Sequence, residues 1–309
     1  PRRTSIAGSE LVQDSEFFLN LPTLPRRIVF VGGGYISFEF AHVAIRAGAE
    51  QVTILHRSKR PLKAFDQEIV KILLAASEAA GIRVVLEESP TSVETTGNAL
   101  AVNGASGAVY ETDLVIEAVG RLPNLSVLEG GAGNVEHSSR GITVNACLQS
   151  VSNPLVYAVG DCADTPYQLA PLADEEGKAA AQNILEGNVR QVDYSVVPST
   201  VFTIPSIGSV GLTEDQAREM QRDFRVNRGT TTAWPSSKRI GEEHAGYKIL
   251  IDNQSNEIIG AHLARHNASE VINVLALAMK FGIKASELAE FPWAYPTLTS
   301  DLKYMVGRS

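Results

Sequence analysis

Three consecutive glycines, Gly32-Gly33-Gly34, separate an apolar run (Ile28 to Val31) from a helix-like stretch (Tyr35 to Ala47) that closes at Gly48. A second apolar run, Val52 to Leu55, follows. Strand, glycine turn, helix and strand in that order predict a βαβ unit, because parallel strands need a crossover and a helix supplies it. Gly32-x-Gly34-x-x-Ser37 in this setting reads as a dinucleotide-binding turn. Gly32 permits the tight turn, Gly34 lets a pyrophosphate approach the backbone, and small Ser37 keeps the helix close to the sheet. The unpaired N–H groups of the helix start attract the phosphates. A glycine turn without a ligand has the same residues.

The helix-then-strand rhythm repeats from Asp66 to Ala80, Gly81, and Ile82 to Leu86, so the predicted fold class is α/β with a parallel sheet. Residues 93 to 119 change character. Short alternating runs broken at Gly97-Asn98 and at Gly104 to Gly107 predict an antiparallel excursion lying on the sheet, which leads into the apolar run Leu114 to Val119. After Pro123-Asn124 come a glycine-rich GGAGN stretch, two short strands (Ile142 to Val144 and Leu155 to Val159) and a helix from Pro171 to Leu185. The remainder, from about Ser195, holds a hairpin, YKILIDNQSNEIIGAHLA, and a helix from Glu270 to Phe281 closed by Gly282; it predicts a separate α+β domain.

The end of the second strand decides which nucleotide fits. An acidic residue there binds ribose hydroxyls and repels a 2′-phosphate. Here the place is taken by His56-Arg57, and Lys59, Arg60 and Lys63 follow with no acid before Asp66. This basic patch suits a phosphate, so NADP(H) is the predicted ligand. A solvated basic loop is the alternative.

With 309 residues and a net charge of −8, the chain has the bulk of about two domains and lacks the basic surface that nucleic acid or an anionic membrane requires. No apolar run is long enough for a transmembrane helix and no signal-peptide pattern opens the sequence, so a cytoplasmic protein is expected. Cys147 and Cys162 are spaced neither as a metal clip nor as a C-x-x-C pair, and are read as small buried hydrophobes. None of the six histidines has metal-ligand spacing; His262 and His266 are four apart, but His262 lies in a strand-like run, so no metal is predicted. The first residue is Pro1, followed by polar, loop-like sequence, which is read as a chain beginning partway through a larger product.

Four segments in order, Gly32-Gly-Gly-Tyr35-Ile36-Ser37-x-Glu39, Ala118-Val-Gly120-Arg121-x-Pro123-Asn124, Tyr157-Ala-Val-Gly160-Asp161 and Phe202 to Glu214, resemble the glutathione-reductase-like class of flavin-dependent pyridine nucleotide–disulfide oxidoreductases. The resemblance runs over essentially the whole chain. It implies that the first segment binds NADPH, that Tyr35 gates the nicotinamide pocket, that Glu39 pairs with a lysine beside the flavin, and that Arg57 and Lys63 are the basic pair. It further implies that Asp161, after Gly160, accepts hydrogen bonds from the ribityl chain of FAD, and that the helix starting at Ala170-Pro171 faces its amides to the flavin carbonyl, where a positive dipole end stabilises reduced flavin. A well-capped helix alone reads the same way.

The family's N-terminal G-x-G-x-x-G unit for the ADP half of FAD and its C-x-x-x-x-C redox pair lie outside these 309 residues. Its His-Pro-Thr-x-x-Glu segment is here Tyr295-Pro296-Thr297-Leu298-Thr299-Ser300, so an imidazole–carboxylate pair is replaced by a phenol. Tyrosine at this place is similar to soluble pyridine nucleotide transhydrogenases and to mercuric reductases; an interface aromatic is the alternative. The expectation is an NAD(P)-binding Rossmann domain with its linker (1–123), the C-terminal part of an FAD domain (124–194) and an interface domain (195–309) that makes a homodimer. In that reading NADPH reduces FAD, electrons pass to a disulfide or related acceptor, and the catalytic residues are Tyr295 and Glu39. A transhydrogenase-like or mercuric-reductase-like enzyme, or an inert nucleotide-binding and dimerisation fragment, are the alternatives.

Overall fold

The structure is a computed structural model and describes residues 1–128 and 131–307; Gly130, the first residue of the GGAGN stretch, lies outside the described residues. The chain divides into two compact units, Arg3–Gly120 with Ser195–Ser309, and Arg121–Tyr194.

In the first unit a short helix, α1 (Ser15–Leu19), precedes β1 (Arg27–Val31), α2 (Tyr35–Arg46), β2 (Gln51–His56), α3 (Gln67–Ala79) and β3 (Ile82–Leu86). A three-stranded antiparallel meander follows, β4 (Pro90–Thr96), β5 (Ala99–Gly104) and β6 (Val109–Thr112), and then β7 (Leu114–Glu117). Strands β3, β2, β1 and β7 form a parallel sheet in that order. Alternation along β1 explains the layering. Ile28 and Phe30 point into a core shared with Phe38 and Ala41 of α2 and Ile69 and Leu73 of α3. Val29 and Val31 point the other way, into a core with Val93, Val102 and Tyr110 of the meander. Each face of the sheet is covered, which is why β1 reads as an uninterrupted apolar run. The antiparallel excursion therefore lies on the sheet, as its sequence predicts.

In the second unit, β8 (His137–Ser138) and β9 (Gly141–Ile142) form a minimal antiparallel ladder, and α4 (Ala170–Glu186) is the principal helix. The expected strand Leu155 to Val159 is not formed. Tyr157 bridges Gln149 once, and Leu148, at φ 66°, turns the partner segment away after a single pairing. The expected strand Ile142 to Val144 is likewise cut short at Ile142, Val144 making only an isolated bridge to Ser150. Cys147 and Cys162 are half-buried rather than buried, each thiol lying near a backbone carbonyl.

The chain then returns to the first unit through β10 (Ser199–Val201), β11 (Ser206–Gly211), α5 (Glu214–Glu219), β12 (Phe224–Thr230), α6 (Pro235–Lys238), β13 (Gly246–Asp252), β14 (Ile258–Arg265), α7 (Ala268–Lys280), α8 (Ala285–Glu290) and α9 (Leu302–Val306). The five strands form one antiparallel sheet, β10-β11-β14-β13-β12, in which the hairpin read from the sequence is β13–β14. Helix α7 covers this sheet with Val271, Ile272 and Leu275. Val201, Ile207 and Ala264 join the core of α2 and α3, so the parallel and antiparallel sheets share apolar contacts through α3.

Candidate functional site

The glycine turn sits at the carboxyl end of β1, where β2 and β7 flank it, the position at which open parallel sheets bind ligands. Gly32 has φ +119°, and a Cβ there would lie 2.3 Å from the carbonyl oxygen of Ala118, so only glycine fits. Gly34 is different. It is the N-cap of α2, with φ −89° and ψ 176°, and no side chain caps the helix there. A Cβ on Gly34 would meet nothing within 4 Å, so glycine keeps space open in front of the helix amides rather than relieving strain. An anionic pyrophosphate fits that cradle by charge and by donor supply.

Tyr35 is half exposed beside this opening, Ile36 packs partly against the core of α2 and α3, and Ser37 is fully buried with an Oγ that has no hydrogen-bond partner among the described residues. Glu39, one turn further, is buried, and its Oε1 accepts the Phe202 N–H at 3.1 Å. Burial raises its pKa to about 7 against this single opposing hydrogen bond. His42, a turn beyond Glu39, accepts at Nδ1 from the Ile204 N–H (3.3 Å) and lies 3.0 Å from Arg46 Nη1, while its Nε2 faces Ser77 Oγ at 2.9 Å. Burial, with the Arg46 charge adding to it, lowers its pKa to about 4. His42 is not singled out by the sequence reading, although its three-residue spacing from Glu39 puts both on one helix face.

At the end of β2 the imidazole of His56 packs on the turn, so close that a Cβ on Gly33 would lie 2.4 Å from its Cγ. Its pKa is lowered, mainly by burial. The Leu62 N–H donates to the Gly33 carbonyl at 2.8 Å, which folds the basic loop back onto the glycines. Of the loop's cations, Lys59 lies 3.7 Å from Glu87 and Arg60 2.8 Å from Asp215. Arg57 and Lys63 are exposed and make no ion pair among the described residues. Asp66 ends the loop and is buried. It caps α3 through the Glu68 N–H and pairs with the buried Lys248 at 3.0 Å, which also contacts Glu214 at 2.6 Å. No local signal announces that pair, because its partners are 182 residues apart. Gly120, at φ +118°, is exposed at the end of the first unit.

The second unit holds Arg121, which is exposed, and the Gly160–Asp161 turn. Gly160 is buried, its N–H donating to Glu176 Oε2 at 2.6 Å, while Tyr194 donates its hydroxyl to Glu176 Oε1 at 2.6 Å. Asp161 is exposed and makes no hydrogen bond among the described residues, so its carboxylate is free to accept from a hydroxyl-bearing ligand. Ala170 opens α4 behind Leu169, an N-cap without a side-chain hydrogen bond. A free acceptor and an uncapped helix start within one unit fit the polar parts of a flavin nucleotide.

Residues 2–177 match the profile of the family described as pyridine nucleotide-disulphide oxidoreductase, and residues 197–306 match that family's dimerisation domain. The chain belongs to the pyridine nucleotide-disulphide oxidoreductase family. It is 43% identical over 175 residues to an uncharacterised 19.7 kDa protein of a mercuric resistance operon from Staphylococcus aureus, covering 56% of this chain and 97% of that one. It is 32% identical to the mercuric reductase of Lysinibacillus sphaericus, over 98% of this chain and 56% of the relative. Among solved structures, the HOCl-induced flavoprotein disulfide reductase RclA from Escherichia coli superposes with a TM-score of 0.90 at 25% identity, covering 99% of this chain and 71% of that one. The chain spans about half the length of the mercuric reductases it matches.

Within residues 197–306, which match the dimerisation domain, Tyr295 is 71% exposed. Ser300 is buried and hydrogen-bonded to the Thr297 carbonyl, and Asp301 pairs with buried Arg265 at 2.7 Å. Asp301 therefore serves the core and stands in no acid/base pair with Tyr295. Among the described residues no group of three or more His, Cys, Asp or Glu side chains could hold a metal ion, and no helix is long and apolar enough to cross a membrane.

Proposed function

We propose that this chain provides the nicotinamide-nucleotide site and the dimerisation surface of a flavin-dependent oxidoreductase. In this reading NADPH is the electron donor and a disulfide or related soft acceptor receives the electrons; the protein works as a homodimer in the cytoplasm. The observation that carries the nucleotide assignment is the state of Arg57 and Lys63. They are the two exposed cations of the loop after β2 that have no carboxylate partner among the described residues, and a 2′-phosphate would supply the missing charge. Gly34 leaves the start of α2 open, as a pyrophosphate would need, and Tyr35 stands exposed next to it, where it would cover or uncover a nicotinamide ring.

FAD, when bound, supplies the two-electron relay between nicotinamide and acceptor. Asp161 and the amides at Ala170 are the residues of this chain that would hold it. Glu39 would hold a proton near neutral pH next to the transfer path. A second reading, in which mercuric ion is the acceptor, is favoured by Tyr295 in place of the family's histidine and by the mercury-resistance relatives.

The test of the nucleotide assignment is titration of the chain with NADPH and NADH. Arg57→Ala is expected to weaken NADPH by about tenfold and NADH by less than about twofold, since only NADPH presents a dianion there. Equal losses for both would refute it.

A further inference from the structure

The four cations of the loop after β2 are held in different ways, and Arg60 is the informative one. Its guanidinium reaches α5, 155 residues away in sequence, where Nη2 donates to Asp215 Oδ2 at 2.8 Å. Both side chains are more than half exposed, at 58% and 64%, so water screens the pair and it exchanges easily. The backbone of Arg60 is fixed by contrast. Its carbonyl lies 3.2 Å from His56 Nε2, the His56 ring packs on Gly33, and Leu62 is hydrogen-bonded to the Gly33 carbonyl. Only the side chain is left to choose a partner. Arg60 and Lys63 line a cleft of about 600 Å³ together with Asp215 and other residues of α5. The far end of the loop cannot follow Arg60, because Asp66 is locked to buried Lys248.

Resting on the reading that a phosphorylated nicotinamide dinucleotide binds beside this loop, we propose that Asp215 is a specificity-determining residue: it withholds Arg60 from the 2′-phosphate and leaves Arg57 and Lys63 as the standing contacts. Arg60 is then a third cation of the phosphate subsite, engaged at the expense of its pair with Asp215. The chain binds NADPH less tightly than its loop permits, and the ratio of NADPH to NADH affinity is set partly from the dimerisation domain.

The experiment is calorimetric titration of the full chain with NADPH and with NADH, in wild type and in Asp215→Asn, Arg60→Ala, the double variant and Arg57→Ala. Asp215→Asn is expected to tighten NADPH about threefold and leave NADH unchanged, because one charge-assisted contact is released to a dianion. The gain is expected to vanish in Arg60→Ala/Asp215→Asn, and Arg60→Ala alone is expected to weaken NADPH less than Arg57→Ala does. A gain that survives in the double variant means Asp215 acts only through its long-range charge, and the proposal falls. No gain in Asp215→Asn, with Arg57→Ala still selective against NADPH, also overturns it while the nucleotide assignment stands. A silent Arg57→Ala removes the assignment and the proposal together.

Discussion

Helices α2 and α3 cross the same face of the same parallel sheet, yet one is left open at its start and the other is closed. Helix α3 begins at Asp66, whose carboxylate caps the Glu68 N–H and is matched by the ammonium of Lys248. Helix α2 begins at Gly34, which caps nothing, and carries Ser37, whose buried hydroxyl has no partner among the described residues, and Glu39, whose buried carboxylate is met by one amide. Buried polar groups are normally satisfied. The helix where that rule is relaxed is the one at the proposed nucleotide site, and the satisfied helix holds the frame.

The widest separation between the two is expected from Lys248→Met. Burial works against the charge on Lys248, but the hydrogen bonds it donates to Glu214 and Asp66 outweigh it and raise its pKa. Removing the ammonium leaves those carboxylates facing each other with no cation between them, which is expected to lower unfolding free energy by about 3–5 kcal/mol. Urea denaturation at neutral pH measures it. A loss below about 1 kcal/mol would mean that water already reaches the cluster, and that α3 is no better closed than α2.

Glu39→Gln probes the uncompensated carboxylate. The folded pKa, about 7, lies above the ordinary value of 4.5, so between those limits the folded chain keeps a proton that the unfolded chain has released. Unfolding free energy then falls as pH rises from 4.5 to 7, by a total on the order of 1–3 kcal/mol. Glutamine keeps an acceptor for the Phe202 N–H and has no proton to lose. The variant is expected to match wild type at pH 4.5 and to exceed it at pH 8, in denaturation curves taken at both. A constant offset between the two curves would place Glu39 in a wetter site than the structure gives it.

What the sequence made legible follows the same division. The βαβ unit was readable because apolar runs, glycines and helix period coincide within one short stretch, and the basic patch of Arg57, Lys59, Arg60 and Lys63 was readable because no acid precedes Asp66. Strands such as Leu155 to Val159 were misjudged since an apolar run says nothing about whether a partner of equal length exists; Leu148 turns the partner away. The ties that position the site, Arg60 to Asp215 and Asp66 to Lys248, join residues 155 and 182 apart, and only the tertiary fold brings them together. Glu39 was read from a motif, but its proton affinity comes from burial under the 202–204 segment, which no local pattern encodes.

Gly34→Ala is the smallest change and the finest comparison. At φ −89° and ψ 176° alanine is as comfortable as glycine, and its methyl group would enter open space, so stability is expected to move by less than about 0.5 kcal/mol. In the proposed reading the pyrophosphate approaches the amides of α2 through that open space, so nucleotide affinity is expected to fall about tenfold, and equally for NADPH and NADH, because both carry the pyrophosphate. Asp66→Ala, at the equivalent start of α3, is expected to do the reverse, costing more than about 2 kcal/mol for the lost cap and the lost partner of buried Lys248, with little direct effect on the ligand. Thermal unfolding and nucleotide titration of the two variants side by side decide the matter. If Gly34→Ala loses stability rather than affinity, the glycine at the head of α2 serves the turn and not the ligand, and the contrast between the two helices disappears.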